Sequence, residues 1–194
     1  MKAVGQKMMD FERCIIEHEQ AVMALRETQL SIIQKMADVC RDAVRQGHKI
    51  LICGNGGSAA DSQHIAAEFV GRFVKERQGL SAIALTTDTS ILTAIGNDYG
   101  YDEVFRRQVE ALGQDGDVIL GISTSGNSAN VVEAFAQAKK QGLKILAFTG
   151  PKESRMSELA EFTLQVPASV TARVQECHIM VGHIICQYVD EDYE

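Results

Sequence analysis

The chain has 194 residues, of which 45% are hydrophobic and 23% charged, a balance typical of a globular protein with one well-buried core. Its formal net charge of -7 argues against binding nucleic acid or an anionic membrane, because either partner favours a basic face. No apolar run in the sequence approaches the length of a membrane span, and the five cysteines are scattered without Cys-x-x-Cys spacing. We therefore expect a cytoplasmic protein with free thiols.

The first 47 residues have a helical pattern. Apolar side chains recur at helical spacing in two groups, within residues 11–25 and within residues 32–44, and the pattern stops at Gly47. The pattern predicts two helices, and we interpret residues 1–47 as an N-terminal extension of one domain that covers residues 1–194.

After residue 48, short apolar runs alternate with helix-like stretches, which is typical of a parallel sheet covered by helices. The predicted strands are 49–53, 82–85, 118–122, 145–148 and 162–166, and the predicted helices are 59–73, a broken region at 90–112, 129–141, 153–160 and 172–192. The expected fold is α/β, a three-layer sandwich with a five-stranded parallel sheet. Ligands of such sheets bind beyond the carboxyl ends of the strands.

The first predicted strand leads into a glycine-rich loop, Cys-Gly-Asn-Gly-Gly-Ser at residues 53–58. Glycines there allow a ligand to approach the backbone amides at the start of the next helix. The run loosely satisfies the dinucleotide pattern Gly-x-Gly-x-x-Ala, but the acidic residue expected about twenty positions later is missing. Alone, this loop is equally consistent with a tight turn that binds nothing.

The third predicted strand leads into a serine-rich loop, Ile-Ser-Thr-Ser-Gly-Asn-Ser at residues 122–128. Four hydroxyls and a glycine at a helix N-terminus can donate hydrogen bonds to a phosphate dianion without a lysine. A helix cap by Asn127 or Ser128 is the alternative, and it leaves the other hydroxyls unexplained. We therefore predict a phosphate site.

Ionisable residues on two predicted helices form a second group. His64 and Glu68 are four residues apart and share a helix face, which suits a divalent metal, or a base held by a neighbour, or a plain hydrogen-bonded pair. On the last helix Gln175 and His183 can share a face about 12 Å apart along the axis, with His178 turned away. The helix alone favours a hydrogen-bonded, non-catalytic His183.

A polar break, Gly-Asn-Asp at residues 96–98, interrupts an apolar stretch. Asn97 and Asp98 can orient sugar hydroxyls or form an Asx turn, and the sequence leaves both open. The stretch 86–90, Thr-Thr-Asp-Thr-Ser, is typical of a cap for the following helix.

Together these motifs resemble the bacterial phosphoheptose isomerases of the sugar isomerase (SIS) domain superfamily. The resemblance is carried, in chain order, by loop 53–58, His64-x-x-x-Glu68, Gly96-Asn97-Asp98, residues 121–128 and Arg173-Val174-Gln175-Glu176-x-His178. It implies a flavodoxin-like SIS fold, N-terminal helices used for oligomerisation, and a homotetramer whose active sites are lined by more than one subunit.

The resemblance also implies an activity, namely conversion of D-sedoheptulose 7-phosphate to D-glycero-D-manno-heptose 7-phosphate, the first step toward the heptose of lipopolysaccharide or capsule. Glu68 would move the carbon-bound proton through an enediol and His183 would act as the acid, with a metal-assisted hydride shift as the rival mechanism. One zinc ion per subunit would be bound by His64, Glu68, Gln175 and His183. The implied substrate contacts are Asn55, Gly56, Gly57, Ser58, Glu68, Asn97, Asp98, Ser123, Thr124, Ser125, Ser128 and Gln175.

One departure from the family is visible at Ala172, where some members carry an aspartate, and it bears on turnover rate and sugar preference. The alternatives are a non-catalytic SIS-domain adaptor that binds the replication initiator and a sugar-phosphate sensor. The adaptor class lacks the acidic residue at position 68 and the histidine at position 183, and this chain has both.

Overall fold

The computed structural model describes residues 10–193, and these begin with one long helix, α1 (Phe11–Arg45). The prediction of two helices here was wrong, because the mostly polar stretch 26–31 contains neither Gly nor Pro and its residues are compatible with a helix. Within that stretch the Thr28 hydroxyl donates to the backbone carbonyl one turn earlier, as it does inside a continuous helix. Residues 1–9 of the predicted extension lie outside the described residues.

Beyond α1 the chain alternates strands and helices, as predicted. The strands are β1 (Ile50–Gly54), β2 (Ala82–Ala84), β3 (Val118–Ile122), β4 (Lys144–Thr149) and β5 (Phe162–Gln165). The helices are α2 (Gly57–Val70), α3 (Thr89–Asp98), α4 (Arg106–Leu112), α5 (Ala129–Lys140), α6 (Arg155–Leu159) and α7 (Thr171–Asp190), with a 3-10 turn at Tyr101–Glu103. All five predicted strands and the break between α3 and α4 are confirmed.

The five strands form one parallel sheet in the order β2-β1-β3-β4-β5. Every residue of β1 and β3 is buried, because helices cover both faces of the sheet. The carboxyl ends of these two central strands are aligned, with Gly54 paired to Ile122. The loops that follow them therefore emerge side by side.

Two apolar cores lie on opposite faces of the sheet. Helices α1, α2 and α7 pack on one face, and α4, α5 and α6 pack on the other. The predicted three-layer α/β sandwich is confirmed. Because α2 follows β1 on one face and α5 follows β3 on the other, the chain diverges between β1 and β3, which is where sheets of this kind place ligands.

A search of the described helices for a bilayer-spanning segment finds none that combines the necessary length and hydrophobicity. The cysteines carry free thiols, and four of the five are buried.

Candidate active site

The serine-rich loop after β3 holds three hydroxyls in mutual contact. Ser123 Oγ lies 3.2 Å from Ser125 Oγ and 2.9 Å from Ser128 Oγ. Within residues 10–193, the backbone amides of Thr124, Ser125 and Ser128 have no acceptor. The loop thus has the neutral donors that a phosphate dianion needs at the start of a helix.

The capping alternative for this loop is wrong. Ser128 occupies the N-cap position of α5, but its side chain makes no cap bond and instead contacts Ser123. The Asn127 side chain donates to the Ser125 carbonyl and accepts from the Arg155 amide, so it ties the loop to α6. The Ser125 hydroxyl accepts from the Asn127 amide within the loop, and the Ser128 hydroxyl does not cap α5.

A cleft of about 340 Å³ adjoins the serine-rich loop. Thr124 and Ser125 line one part of it, and Lys152, Ser169 and Thr171 line another. We expected an anion site without a lysine, but the turn after β4 brings Lys152 to this cleft. A sequence signal existed, because Lys152 follows the end of a predicted strand at the same edge of the sheet.

The glycine-rich loop after β1 approaches the serine-rich loop closely. A side chain at Gly54 would place its Cβ 2.9 Å from the Ile122 carbonyl, so only glycine permits this spacing. Gly56 has φ +56° and open space around it, which leaves its backbone accessible. Ser58, in contrast, is only 3% exposed, which leaves little of its hydroxyl for a ligand.

Asn55 is held in place by a residue that the sequence analysis missed. The side-chain amides of Asn55 and Asn130 form a cyclic pair, each donating to the other at 2.9 Å. The Tyr101 hydroxyl also donates to Asn55 Oδ1 at 3.3 Å. Asn130 stands in the first turn of α5, and only the alignment of β1 with β3 brings it to Asn55, so no local pattern could have identified it.

His64, Glu68 and His183 come together as a cluster. His64 Nε2 lies 3.1 Å from Glu68 Oε1 and 3.2 Å from His183 Nε2. His64 is exposed, and the other two are partly buried. The Phe73 ring stands 5.6 Å from the His183 ring and shields one side of it.

The cluster forms because α2 and α7 lie side by side and run in the same direction. Gln175 contacts Gly57 near the start of both helices, and Gly182 contacts Ile65 further along. A Cβ at Gly182 would lie 2.7 Å from Ile65 Cδ1, so the glycine allows the helices to approach at the level of His183.

The donor set of the cluster fits a zinc ion. Two imidazole nitrogens and one carboxylate oxygen lie within 4.8 Å of one another. Tetrahedral zinc with bonds of 2.0–2.2 Å separates its ligand atoms by about 3.3–3.6 Å, slightly more than the two observed distances of 3.1 and 3.2 Å. Gln175 does not join this set, since its amide lies against Gly57 and, among the described residues, makes no hydrogen bond to any of the three.

Two other ionisable residues lie near these elements. Asp61 is on α2, one turn before His64, and burial raises the pKa of its carboxyl while the His64 charge acts in the opposite direction. His178 is buried with Nε2 3.1 Å from the Thr149 carbonyl, and burial lowers the pKa of its imidazole to about 4. His178 is thus turned away from His183, as predicted.

Asn97 and Asp98 end α3 and are exposed, with the Asn97 amide donating to Asp98 Oδ1 at 2.8 Å. This contact joins the two exposed side chains to each other at the end of α3. Tyr101, a few residues later, reaches Asn55 and brings this segment beside the glycine-rich loop. Asp88 accepts from the Ile91 amide, which confirms the predicted cap of α3.

Comparison with known proteins identifies the family of this chain. The SIS domain family matches residues 16–150. A phosphoheptose isomerase of Burkholderia pseudomallei (strain 1710b) is 54% identical over 170 residues, which cover 88% of this chain and 86% of the relative. A phosphoheptose isomerase of Aquifex aeolicus is 51% identical over 175 residues, covering 90% of this chain and 92% of the relative.

Solved structures give the same result. The phosphoheptose isomerase of Neisseria gonorrhoeae is 44% identical with a TM-score of 0.88, and that of Francisella tularensis is 33% identical with a TM-score of 0.90. Each similarity covers 93% of this chain and 96% of the other. The chain therefore belongs to the phosphoheptose isomerases of the SIS domain family.

Proposed function

We propose that this isomerase converts D-sedoheptulose 7-phosphate to D-glycero-D-manno-heptose 7-phosphate by proton transfer through an enediol. The observation that carries the proposal is the cluster of His64, Glu68 and His183, which adds a carboxylate and two imidazoles to a fold with an uncharged anion loop. An adaptor or a sensor needs the anion loop at most, whereas isomerisation needs an acid and a base.

The proton transfers follow from the residue types. Glu68 takes a proton from C1 of the ketose, and the electron pair of that C–H bond forms the C1–C2 double bond of the enediol. His183 donates a proton to the carbonyl oxygen at C2 and later accepts the proton of the C1 hydroxyl. Glu68 then returns its proton to C2, which leaves an aldehyde at C1 and restores both side chains.

The zinc site is part of the proposal. His64, Glu68 and His183 would hold the ion, and Glu68 and His183 would leave it during turnover in order to transfer protons. The family resemblance also implies Gln175 as a ligand, but its amide lies against Gly57, about 12 Å along α7 from His183, so it does not reach the same ion within one chain. A bound zinc ion would polarise the sugar carbonyl as a Lewis acid. His64 has no other assigned role, so in this account it keeps Glu68 and His183 close together.

The phosphate of the substrate would bind to Ser123, Thr124, Ser125 and Ser128. Asn55, Gly56, Gly57, Asn97, Asp98 and Gln175 would contact the sugar, whereas the buried Ser58, which the resemblance also implies, would not. The pairing of Asn55 with Asn130 supports this role, since it fixes the orientation of the Asn55 amide. Lys152 would add positive charge beside the phosphate.

We also propose that each active site uses more than one subunit. Glu68 lies eleven residues after Gly57 on α2, which corresponds to about 16 Å along the helix axis. Three backbone bonds span at most about 3.6 Å, so the eight bonds from C1, where Glu68 acts, to the phosphorus span roughly 10 Å. One substrate is therefore shorter than the distance from the glycine-rich loop to Glu68 along α2 of the same chain, and Glu68 of a second copy would complete the site.

The surface of α1 supports assembly into a homotetramer. Its exposed apolar side chains include Ile16, Met23 and Leu30, which are spaced by seven residues and lie along one stripe, and Phe11 and Ile15 extend the apolar surface. Exposed apolar stripes of this kind mark protein interfaces. The helix would thus pack against its copies.

The free thiols favour a cytoplasmic location, since disulfides are rare there. The proposed product would feed the heptose of lipopolysaccharide or capsule, so a reaction that consumes an aldose 7-phosphate follows this step.

The direct test is to incubate the purified protein with sedoheptulose 7-phosphate, with and without added zinc, and to follow the aldose by NMR. The proposal expects the aldose to form and the reaction to depend on zinc. Tight binding of the sugar phosphate without product would favour the sensor, and no binding at all would favour the adaptor.

A further inference from the structure

A buried ion pair joins the segment after α2 to the end of α7. Arg77 Nε lies 2.6 Å from Asp190 Oδ1, and their side chains are 2% and 1% exposed. Burying two charges is costly unless further hydrogen bonds satisfy both groups. Both groups meet this condition, and their additional partners belong to the elements that carry the catalytic cluster.

Arg77 binds the carboxyl end of α2. Its guanidinium donates to the backbone carbonyl of Glu68 at 3.0 Å and to that of Phe69 at 2.9 Å. The last carbonyls of a helix have no partner within the helix, so these two bonds fix the final turn of α2. Glu68, the proposed base, stands in that turn.

Asp190 binds the segment between α2 and β2. Its Oδ2 accepts from the backbone amides of Val74 at 2.9 Å and Lys75 at 2.6 Å. The residue before them, Phe73, places its ring against His183. Asp190 itself lies two turns after His183 on α7.

We propose that Arg77 and Asp190 are positioning residues that hold Glu68 and His183 at the spacing required for zinc binding and proton transfer. The inference rests on the proposed function of the His64, Glu68 and His183 cluster. A purely structural ion pair would contribute to folding and leave the cluster unaffected, and this difference can be measured.

Two variants test the pair. Asp190→Asn keeps the size of the side chain but removes the charge, which leaves the guanidinium buried and unpaired. Arg77→Lys keeps the charge opposite Asp190 but loses the planar fork that reaches the Glu68 carbonyl. Because it retains charge pairing, Arg77→Lys supplies the test if Asp190→Asn does not fold.

Asp117→Asn is the matched control. Asp117 is 1% exposed, pairs with Lys49 Nζ at 2.5 Å and accepts from the backbone amides of Lys49 and Gln114. It stands directly before β3, at the opposite edge of the sheet from the ligand loops. Its substitution removes a buried carboxylate from an ion pair whose lysine is 18% exposed, far from the cluster.

The readouts are zinc affinity by competition with a chromophoric chelator, the visible spectrum of the cobalt-loaded protein, and kcat and KM for sedoheptulose 7-phosphate. We expect Asp190→Asn and Arg77→Lys to weaken zinc binding and lower kcat at least tenfold, to change the cobalt spectrum, and to alter KM less than threefold. Asp117→Asn should lower the Tm comparably and leave zinc affinity and kcat unchanged.

The inference is overturned if both test variants keep the zinc affinity and kcat of the unmodified protein, or if Asp117→Asn loses them equally. If the unmodified protein binds no zinc and forms no aldose, the proposed function fails and the inference fails with it. If the unmodified protein is active and zinc-loaded while the variants match it, only the positioning role fails.

Discussion

The Nε2 atoms of His64 and His183 lie 3.2 Å apart, although 119 residues separate them along the chain. Two imidazole nitrogens at this distance share one hydrogen bond or bind a common cation. The spacing depends on Gly182, which lets α7 approach Ile65 on α2.

Gly182→Ala tests the dependence of the cluster on helix spacing. A methyl group there would lie 2.7 Å from Ile65 Cδ1, so we expect a loss of about 1–3 kcal/mol in the free energy of unfolding and weaker zinc binding. Denaturant unfolding and chelator competition measure the two effects. Gly96→Ala is the stability control, because its methyl would meet no atom closer than 3.8 Å. Equal effects of the two substitutions would contradict the account.

Glu68→Gln tests the base. The amide is nearly isosteric with the carboxylate but does not accept the C1 proton, so we expect kcat to fall at least a thousandfold while sugar phosphate still binds. Progress curves and isothermal titration separate turnover from binding. Loss of binding together with turnover would instead assign Glu68 to holding the ligand or the ion.

The sequence was sufficient for the architecture and for part of the site. Continuous apolar runs identify buried parallel strands, and the chemistry of the loops that follow them predicts an anion site at the carboxyl ends of β1 and β3. The pairing of His64 with Glu68 follows from helical spacing alone.

Other contacts are set by how elements pack, which a local pattern does not encode. Asn130 reaches Asn55 only through the alignment of β1 and β3. His183, which the helix alone assigned to a passive role, meets His64 only because α2 and α7 lie side by side. The length of α1 was missed for a different reason, since a polar surface turn was interpreted as a break between two helices.

The serine-rich loop is tested by Ser123→Ala combined with Ser125→Ala. Removing two neutral donors should raise KM at least tenfold and weaken inhibition by inorganic phosphate in parallel, with a smaller effect on kcat. Steady-state kinetics with and without phosphate measure both. An unchanged KM would remove the phosphate assignment.

Mixed oligomers test whether sites are shared between subunits. We expect Glu68→Gln and the Ser123/Ser125 double variant to be inactive or weakly active on their own. When the two variants are unfolded and refolded together, they form hybrid oligomers. Some sites of these hybrids combine an intact Glu68 from one chain with an intact serine-rich loop from another. We expect activity above that of either parent. If the mixture shows only the average of the two parents, each site is built from one chain.

The buried His178 predicts a component of acid sensitivity. Its pKa is lowered to about 4 from 6.5, so between these values the unfolded chain binds a proton that the folded protein does not. Stability from this group is therefore complete above pH 6.5 and falls as the pH drops toward 4, by an amount on the order of 3 kcal/mol. Urea unfolding at pH 7 and pH 5 measures the free energy of unfolding, which should fall more between these pH values for the unmodified protein than for His178→Gln. An equal fall in both proteins would mean that His178 does not contribute to the acid sensitivity.

The central claim is proton transfer through an enediol, and the most direct measurement is turnover of sedoheptulose 7-phosphate in D2O followed by NMR. The account predicts the aldose 7-phosphate with solvent deuterium at C2, because the proton held by Glu68 exchanges before it is returned. Failure to form the aldose, or an aldose that stays unlabelled at C2 after many turnovers, would contradict it.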